Sequence, residues 1–292
     1  MVNEINYSGY LASRRPCVIC NSEQFSLWCQ DEPFDFLKCQ DCGLVLGNPC
    51  LNDKGLSMVY QGHHQSRIVD EDACKKRDEM YLIDRDFLLD TISGGVILDV
   101  GCGGGFFLNN FDPAKWNRHG LEIDPDTAPY ARKHFNIDVH IGTSESMPFE
   151  SPMFDVVIFR GSFEHLVNPH ITAGEVYRVL KPGGYLYLCA TPNVDAFCAN
   201  LYRQKWNQFD AKEHIFLFSV TTLKQLLSPC QFRHVKSGYF YEETPYCDII
   251  NDMQQVISDY RRIQQGRFDE VGISPAFWGN MMNVIFRKPW NV

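Results

Sequence analysis

A short apolar run that ends in a glycine-rich loop restricts the fold of this chain more than any other feature. Residues 96–100 read VILDV, and the five residues that follow read GCGGG. Glycines at alternate positions permit a sharp turn from a strand into a helix, and they let the backbone pass close to a bound molecule. The run therefore predicts a buried strand followed by a ligand-binding turn, which is typical of α/β folds.

Strand and helix patterns alternate after this loop. Short apolar or alternating runs predict strands, and longer stretches with apolar residues three or four positions apart predict helices. Residues 181–184, Lys-Pro-Gly-Gly, predict a helix stop followed by a turn. Alternation of this kind indicates a parallel sheet with helices on both faces. The predicted strands are 96–100, 118–123, 154–159 and 184–190, and the predicted helices between them are 126–134 and 169–180.

Further elements are predicted on either side of this alternating region. A helix over 73–92 carries an apolar stripe that consists of Met80, Ile83, Phe87 and Leu88. In the last sixty residues, strand candidates at 232–242 and 281–288 surround a helix near 246–265.

Composition and charge narrow the possible partners. The chain has 292 residues, 45% apolar and 22% charged, which is ordinary for a globular protein. Lys and Arg number 27 against 36 Asp and Glu, so the net charge is −9. Nucleic acids and anionic membranes attract clustered Lys and Arg, and neither is therefore an expected partner. Because no apolar run approaches the ~18 residues of a membrane span and no signal-peptide core begins the chain, we expect a cytoplasmic protein with reduced thiols.

Four of the 12 cysteines form two C-x-x-C pairs near the N-terminus, separated by 18 residues. This is the four-cysteine pattern of zinc ribbons, and Gly43 after the second pair suits the left-handed backbone that such turns need. Four sulfur ligands leave no open position, so the expected Zn²⁺ is structural. Between Arg14 and Cys50 three basic residues stand against five acidic ones, which argues against a nucleic-acid-binding finger. The predicted ligands are Cys17, Cys20, Cys39 and Cys42.

A series of motifs follows the glycine loop in a fixed order. Asp99 stands two residues before the first glycine, and Glu122 ends the next predicted strand about 20 residues later, where an acceptor for ribose hydroxyls belongs. Downstream come GTSESMPF at 142–149, FDVVIF at 154–159 and RVLKPGG at 178–184. A nicotinamide or flavin site is less consistent with the sequence, because the position three after Gly103 is Phe106 instead of glycine.

Together these motifs resemble the class I S-adenosylmethionine-dependent methyltransferases from about residue 74 to residue 289. The resemblance implies a Rossmann-like α/β sheet of seven strands with the last strand antiparallel. It places the loop glycines along the methionine part of S-adenosylmethionine, the Glu122 carboxylate on both ribose hydroxyls and the backbone near Thr143 at the adenine edge. Many members of the family have Asp at the position of Thr143. The predicted donor site comprises Asp99, Gly101, Cys102, Gly103, Gly105, Glu122, Ile123, Thr143, Ser144, Arg160 and Gly161.

Two Glu-His pairs are candidates for the acceptor side of the site. Glu213-His214 lies in a segment that looks like the E-H-x-x-x-F-S segment of sugar C-methyltransferases, which also carry an N-terminal four-cysteine zinc domain. The resemblance implies that His214 is a general base and that Glu213 orients it or binds the acceptor. The catalytic candidates are His214, Glu213, His165 of the Glu164-His165 pair, and Tyr60, which occupies the place of a lid tyrosine in that family. Packing and helix capping are the structural alternatives for these residues.

These observations predict three segments and one activity. The segments are a zinc ribbon over 1–50, a linker or lid over 51–73 and a methyltransferase domain over 74–292. The expected activity is methylation of a small molecule such as a sugar or nucleotide sugar, with Arg160 as a possible contact for an acidic acceptor group. An RNA or protein methyltransferase that recognises its substrate through the ribbon is the first alternative, which the acidic charge disfavours. A non-catalytic S-adenosylmethionine-binding module is the second, and the intact loop and Glu122 argue against it.

The sequence leaves several properties open. The acceptor, the methylated atom (oxygen, nitrogen or carbon) and the oligomeric state are not determined by any motif. The stretch 244–280 is longer than a minimal connection, so we expect it to form an acceptor lid or a dimer contact.

Overall fold

Eleven strands and seven α-helices are found in residues 6–60 and 71–290, which are the residues that the computed structural model describes. The strands are β1 (Phe25–Asp31), β2 (Phe34–Cys39), β3 (Val45–Gly47), β4 (Gly95–Val100), β5 (Trp116–Glu122), β6 (Asp138–Ile141), β7 (Phe154–Arg160), β8 (Leu180–Pro192), β9 (Phe216–Leu217), β10 (Arg233–Gly238) and β11 (Met281–Arg287). The helices are α1 (Asp53–Tyr60), α2 (Glu71–Leu89), α3 (Ala128–Phe135), α4 (Pro169–Val179), α5 (Phe197–Tyr202), α6 (Val220–Leu227) and α7 (Ile249–Gln264).

Seven strands form the large sheet in the order β10-β11-β8-β7-β4-β5-β6. The pairs from β8 across to β6 are parallel, whereas β11 runs antiparallel to both β8 and β10. The chain moves from β4 outward to β5 and β6, and it then returns to place β7 on the other side of β4. Ligands of open α/β sheets bind at the carboxyl ends of the strands where the order reverses in this way. The predicted fold class, with the last strand antiparallel, is confirmed.

The central strands are buried on both faces, and this explains why they are apolar almost throughout. Leu98, Val157 and Leu188 contribute to the core on one face, and Ile97, Val156 and Ile158 contribute to the core on the other. Side chains alternate between faces along a strand, so each strand supplies both cores.

Most predicted elements are found, with shifted ends. The strand predicted at 118–123 begins earlier, at Trp116, and the helix predicted at 73–92 buries Tyr81, Asp84 and Leu88, with the predicted stripe only partly buried around Leu88. Residues 181–184, predicted as a turn between helix and strand, lie inside β8, where the pairing with β7 skips from Leu180 to Tyr185. β6 has no counterpart among the predicted strands.

A small N-terminal sheet has the order β1-β2-β3-β9, with all pairs antiparallel. Its fourth strand comes from far along the chain: Val45 pairs with Leu217, and Leu46 with Phe216. Leu44 and Leu46 are fully buried in the same core as β4, β7 and β8 of the large sheet. The small sheet is thus continuous in its packing with the large one.

Local signals set several helix ends. Ser219 caps α6 through a reciprocal bond pair with Thr222, and α3 ends because Asn136 adopts the left-handed conformation with φ of 52°. Among the described helices, none combines the length and the apolar character that crossing a membrane requires.

We expect Phe216 to be essential for the stability of the joint between the two sheets. Its side chain is fully buried, and the Arg15 guanidinium carbon lies 5.0 Å from its ring centroid. Removing a buried phenylalanine side chain leaves a cavity, so Phe216→Ala should lower the free energy of unfolding by about 3–5 kcal/mol. Urea denaturation measures this, with Phe197→Ala as the matched control because the Phe197 side chain is 51% exposed. Equal stabilities of the two variants would contradict the prediction.

Candidate active site

The glycine loop after β4 has a backbone that side chains would block. Gly101, Gly103 and Gly105 have positive φ angles of 78°, 51° and 78°. A Cβ on Gly105 would lie 2.7 Å from Cβ of Ala131, whereas a Cβ on Gly103 would meet no atom within 4 Å. The loop is therefore packed against α3 on one side and open at Gly103 on the other. Cys102 is buried next to Gly120, and its thiol donates to the Gly103 carbonyl (3.6 Å).

Glu122 joins the end of β5 to this loop. Its Oε2 accepts a hydrogen bond from the Gly103 backbone N–H (2.7 Å), and its Oε1 accepts from the backbone N–H groups of Ile123 (2.8 Å) and Asp124 (3.0 Å). A carboxylate has about four acceptor sites, so this arrangement leaves about one for a ligand hydroxyl. The Ile123 side chain next to it is 66% exposed, an apolar surface beside a carboxylate.

Asp99 and Arg160 lie below the loop on the neighbouring strands β4 and β7. Asp99 is buried, and its Oδ1 has no hydrogen-bond partner among the described residues. Burial raises the pKa of Asp99 to about 7, against the opposing effect of Arg160. The Arg160 Nε donates to Oδ2 of the buried Asp84 (2.9 Å), and the guanidinium carbon lies 4.3 Å from the Tyr81 ring centroid. The Arg160 charge is thus matched within the protein.

The segment predicted at the adenine edge follows β6. Thr143 is exposed, whereas Ser144 is buried and its hydroxyl lies 2.9 Å from that of Thr172 on α4. Gly161 has a φ of 57° at the end of β7, and its backbone N–H donates to the Cys189 carbonyl of β8.

The two Glu-His pairs come together, although they lie in different segments. The rings of His165 and His214 have centroids 5.0 Å apart, and Nδ1 of His165 lies 3.9 Å from Oε2 of Glu213. The Ile215 backbone N–H donates to the Glu164 carbonyl (3.0 Å), which joins the two segments directly. Glu164, His165 and His214 each have a ligand atom within 4.8 Å of the others.

The pKa values of this group depend on burial. Burial raises the pKa of Glu164 to about 8 and lowers that of His214 to about 4. The pKa of His214 therefore lies below the value of about 6.5 that is ordinary for histidine. Oε2 of Glu164 and Nδ1 of His214 are buried, with no hydrogen-bond partner among the described residues. Such atoms call for a ligand or an ordered water.

Both pairs line one cleft of ≈ 320 Å³, which Arg160 and Gly161 at the end of β7 also line. Sequence reasoning missed Arg77 and Tyr81, which line this cleft from α2, and Asp84 behind it. A lone Asp among the buried positions of a helix was the available signal for Asp84. Tyr60 ends α1, and its side chain lies outside the part of the chain that is described. The lining residues are Arg77, Tyr81, Arg160, Gly161, Glu164, His165, Ala190, Pro192, Gln208, Glu213, His214 and Met281.

The four predicted metal ligands form a second group. Their sulfur atoms all lie within 4.8 Å of one another, with Cys17 3.4 Å from Cys42 and Cys20 3.5 Å from Cys39. Each C-x-x-C turn is closed by a backbone bond to its first cysteine, from Asn21 or from Gly43. Both closing residues have positive φ, as predicted for Gly43 and missed for Asn21.

One thiol of this group has a lowered pKa. Burial would raise the pKa of Cys39, but hydrogen bonds from the backbone N–H groups of Cys42 and Asp41 outweigh it and bring the value to about 7. The cluster therefore has the convergent sulfur atoms and thiolate-stabilising amides of a metal centre.

The loop and its surroundings fit a nucleoside with an amino-acid tail. Glycine backbone is open at Gly103, a carboxylate with remaining acceptor capacity stands at Glu122, and apolar surface is exposed at Ile123. The unpartnered Asp99 oxygen gives a hydrogen-bond acceptor below the loop, and a ligand ammonium bound there would favour the ionised form of this carboxyl.

Fold and site together define a class I methyltransferase. A family model described as "Methyltransferase domain" matches residues 72–237, more than half of the chain, and the chain belongs to this family. The predicted enzyme class is thereby confirmed.

The individual relatives match only in part. The chain is 26% identical over 180 residues to the biotin biosynthesis bifunctional protein BioHC of Teredinibacter turnerae, covering 56% of this chain and 31% of that protein. It is 33% identical over 112 residues to a fatty-acid O-methyltransferase of Mycolicibacterium smegmatis, covering 36% of this chain and 40% of that protein. It is 33% identical over 116 residues to a ubiquinone biosynthesis O-methyltransferase of Ruegeria sp., covering 38% and 47%. The chain thus spans less than half the length of these curated relatives.

Solved structures share the fold at low identity. A Thermotoga maritima S-adenosylmethionine-dependent methyltransferase, described as a possible histamine N-methyltransferase, aligns with a TM-score of 0.53 and 21% identity, over 77% of this chain and 98% of that one. The PH0226 protein of Pyrococcus horikoshii aligns with a TM-score of 0.53 and 18% identity, over 80% and 98%.

We expect Glu164 to make the protein less stable as the pH rises. Its folded-state pKa of about 8 exceeds the ordinary value of 4.5, so between these values the folded state holds a proton that the unfolded state has released. The contribution of this group to stability therefore falls by about 1.4 kcal/mol for each pH unit. Urea unfolding at pH 5.5 and 7.5 should show that Glu164→Gln loses less stability than wild type across this interval.

Glu175 provides the matched control. Its pKa is lowered, chiefly by the hydrogen bond from the Arg178 side chain, so it stays ionised above pH 5.5 in both states. Glu175→Gln should keep the pH dependence of wild type. The same slope for Glu164→Gln and wild type would show that Glu164 is ionised in the folded protein.

Proposed function

We propose that this chain transfers a methyl group from S-adenosylmethionine to a polar small molecule, most simply a sugar or nucleotide-sugar-like metabolite. One observation carries the proposal: the two Glu-His pairs meet in a single cleft. Two predicted donor-site residues at the end of β7, Arg160 and Gly161, line the same cleft. A donor site and a set of acid–base groups therefore face the same volume. Methyl transfer needs this geometry, because the acceptor atom must lie in line with the donor's C–S bond.

The donor side would be held by the glycine loop and the residues around it. S-adenosylmethionine supplies an activated methyl group when bound. The open backbone at Gly103 would accommodate its amino-acid part, Glu122 would accept from the ribose and Ile123 would cover the base. The Asp99 carboxyl and Gly161 would lie near the ammonium end. The backbone at Thr143 would contact the adenine edge. The Ser144 hydroxyl would not, because it is already hydrogen-bonded to Thr172.

The acceptor side would depend on the two unpartnered atoms described above. An acceptor hydroxyl between them could donate a hydrogen bond to Nδ1 of His214 and accept one from the protonated carboxyl of Glu164 at Oε2. His214 would take the proton that the acceptor loses, and its low pKa keeps it unprotonated throughout the physiological pH range. Glu164, protonated below about pH 8, would be a hydrogen-bond donor in the same pH range.

The lining favours a polar acceptor over an acyl chain. Seven of the lining side chains are charged, amide or imidazole groups, and Glu213, Gln208 and His165 provide acceptors and donors of the kind that bind sugar hydroxyls. Arg160 lines the cleft and is held in place by its pairing with Asp84 and its packing on Tyr81. A contact from Arg160 to an acidic group of the acceptor remains part of the proposal.

We further propose that the four-cysteine group binds Zn²⁺ and that this ion has a structural role. Four thiolates complete a tetrahedral site, in which neighbouring sulfur atoms are about 3.8 Å apart. The observed separations of 3.4 and 3.5 Å are close to that spacing. The ion would tie the turn at 17–20 to the turn at 39–42, which joins β2 to β3, and β3 in turn pairs with β9 just after His214.

We expect His214 to act in turnover and not in donor binding. With nucleotide-linked sugars as the acceptor panel, His214→Ala should lower kcat at least about 100-fold, the usual contribution of a general base. Calorimetry should find unchanged affinity for S-adenosylmethionine, because His214 lies on the acceptor side. Full activity of the variant would refute its role as a base.

The matched controls separate the two halves of the site. Glu122→Ala should weaken S-adenosylmethionine binding at least about tenfold, because it removes a charge-assisted acceptor and the tie to Gly103. His170→Ala, an exposed histidine on α4, should leave binding and turnover unchanged. Undiminished donor affinity in Glu122→Ala would refute the assigned donor site.

We expect loss of the cysteine-bound metal to unfold the small sheet before it affects the donor site. Cys20→Ser should contain less tightly bound zinc by elemental analysis, and its unfolding midpoint should fall, since structural zinc contributes directly to folding. S-adenosylmethionine affinity should change less than turnover, because β9 and His214 are displaced and the glycine loop is not. Cys247→Ser, which lies outside the group, is the control; equal zinc content in both variants would contradict the assignment.

A further inference from the structure

A second group of potential metal ligands lies away from the cleft, on the strands β5 and β6. It consists of His119, Asp138 and His140, each with a ligand atom within 4.8 Å of the others. His119 and Asp138 are direct partners in the parallel pairing of the two strands. Asp138 and His140 are two residues apart on β6, so their side chains leave the strand on the same face.

The spacing of the ligand atoms is that of a metal centre. Oδ2 of Asp138 lies 3.2 Å from Nδ1 of His119 and 3.2 Å from Nε2 of His140. In a tetrahedral zinc site with bonds of 2.0–2.2 Å, nitrogen and oxygen ligands are about 3.3 Å apart. Oδ2 of Asp138 is hydrogen-bonded to His140 in this structure, and its two 3.2 Å separations from the imidazoles match those that a shared ion would impose.

His119 has a feature that an ion pair does not explain. It is 7% exposed, and neither of its ring nitrogens has a hydrogen-bond partner among the described residues, although the Asp138 oxygen is near. The carboxylate therefore lies off the direction of an imidazole N–H. Ligands of one ion have this relation, because their lone pairs converge on the metal and not on each other.

Aromatic packing holds the rings in place. The His119 ring packs edge-on against Phe154 with centroids 5.7 Å apart, and the His140 ring packs edge-on against Phe149 at 4.7 Å. Rings that are fixed before the ion arrives lose little entropy when it binds. Asp138 is 58% exposed at the side chain, so water can complete the coordination.

We propose that His119, Asp138 and His140 bind one Zn²⁺ or a similar divalent transition ion, separate from the four-cysteine site. Two imidazoles and a carboxylate are ligands that suit such ions. The ion would link β6, a four-residue strand at the edge of the sheet, to β5. These strands run on to Glu122 and to the segment at 142–144, so the link would stabilise the edge of the sheet that carries the candidate donor residues.

Zinc titration of the untagged protein tests this site. The protein is first loaded at the cysteines and freed of loosely bound metal by dialysis, and calorimetry with ZnSO₄ then counts the remaining sites. Wild type should bind a further equivalent, and His140→Ala and Asp138→Asn should weaken it roughly tenfold or more, because each loses one of three protein ligands. Both residues lie at the surface, so these variants should fold. His170→Ala should bind as wild type does.

Cobalt identifies the ligand type independently of stoichiometry. Co²⁺ added to the zinc-loaded protein should give visible ligand-field bands without thiolate charge-transfer absorption, and His140→Ala should reduce them. Failure of wild type to bind a further equivalent would overturn the proposal, and so would binding that survives both substitutions. Neither result depends on methyl transfer, so the site can fail while the proposed function stands.

Discussion

The backbone of Ile215 is hydrogen-bonded on both sides, and the geometry of the cleft depends on it. Its N–H donates to the Glu164 carbonyl after β7, and its carbonyl accepts from the Gly47 N–H at the end of β3. One peptide segment therefore joins the large sheet, the small sheet and the His214 loop. Because Ile215 is buried, these two bonds cannot be exchanged for bonds to water without cost. The position of His214 relative to His165 follows from this arrangement.

Burial of several carboxylates around one guanidinium determines the charge of the site. Asp84, Asp99 and Glu164 are all buried near Arg160, which forms its hydrogen bond with Asp84. One cation can stabilise one of these carboxylates well, and desolvation then favours the protonated form of the others. Burial raises the pKa of all three carboxyls, to about 7 for Asp99 and about 8 for Glu164, and of the three only Asp84 receives a hydrogen bond from Arg160 that opposes this rise. The region around Arg160 consequently carries less negative charge at neutral pH than three ionised carboxylates would give it.

The sequence predicted those parts of the fold and site whose residue types are required by local chemistry. The glycine loop, the strand apolarity and the C-x-x-C turns belong to this group, since few residues other than glycine tolerate the φ angles at Gly101 and Gly105. It could not predict β9, a two-residue strand whose partner lies some 170 residues earlier in the chain. Pairing over such a distance leaves no local periodicity, and the four residues of β6 are too few to show one. Asp84 lies on the buried face of its helix between Tyr81 and Leu88, but its partner Arg160 is on a distant strand, and no local pattern pairs the two.

Because the two Glu-His pairs lie together, the carboxylate that acts on each histidine is not simply its neighbour in the sequence. Taken separately, each pair suggests a catalytic dyad in which Glu orients its neighbouring His. In the structure, contacts also cross between the pairs: Nδ1 of His165 lies 3.9 Å from Oε2 of Glu213, and the His165 ring is near the His214 ring. His165 lies between two carboxyl groups, since Oε1 of Glu164 is 3.8 Å from its Nε2. For His214, burial outweighs the opposing effect of Asp210 and keeps the ring neutral. The two histidines therefore have different electrostatic surroundings, and a neutral imidazole with an unpartnered nitrogen is the one suited to receive a proton.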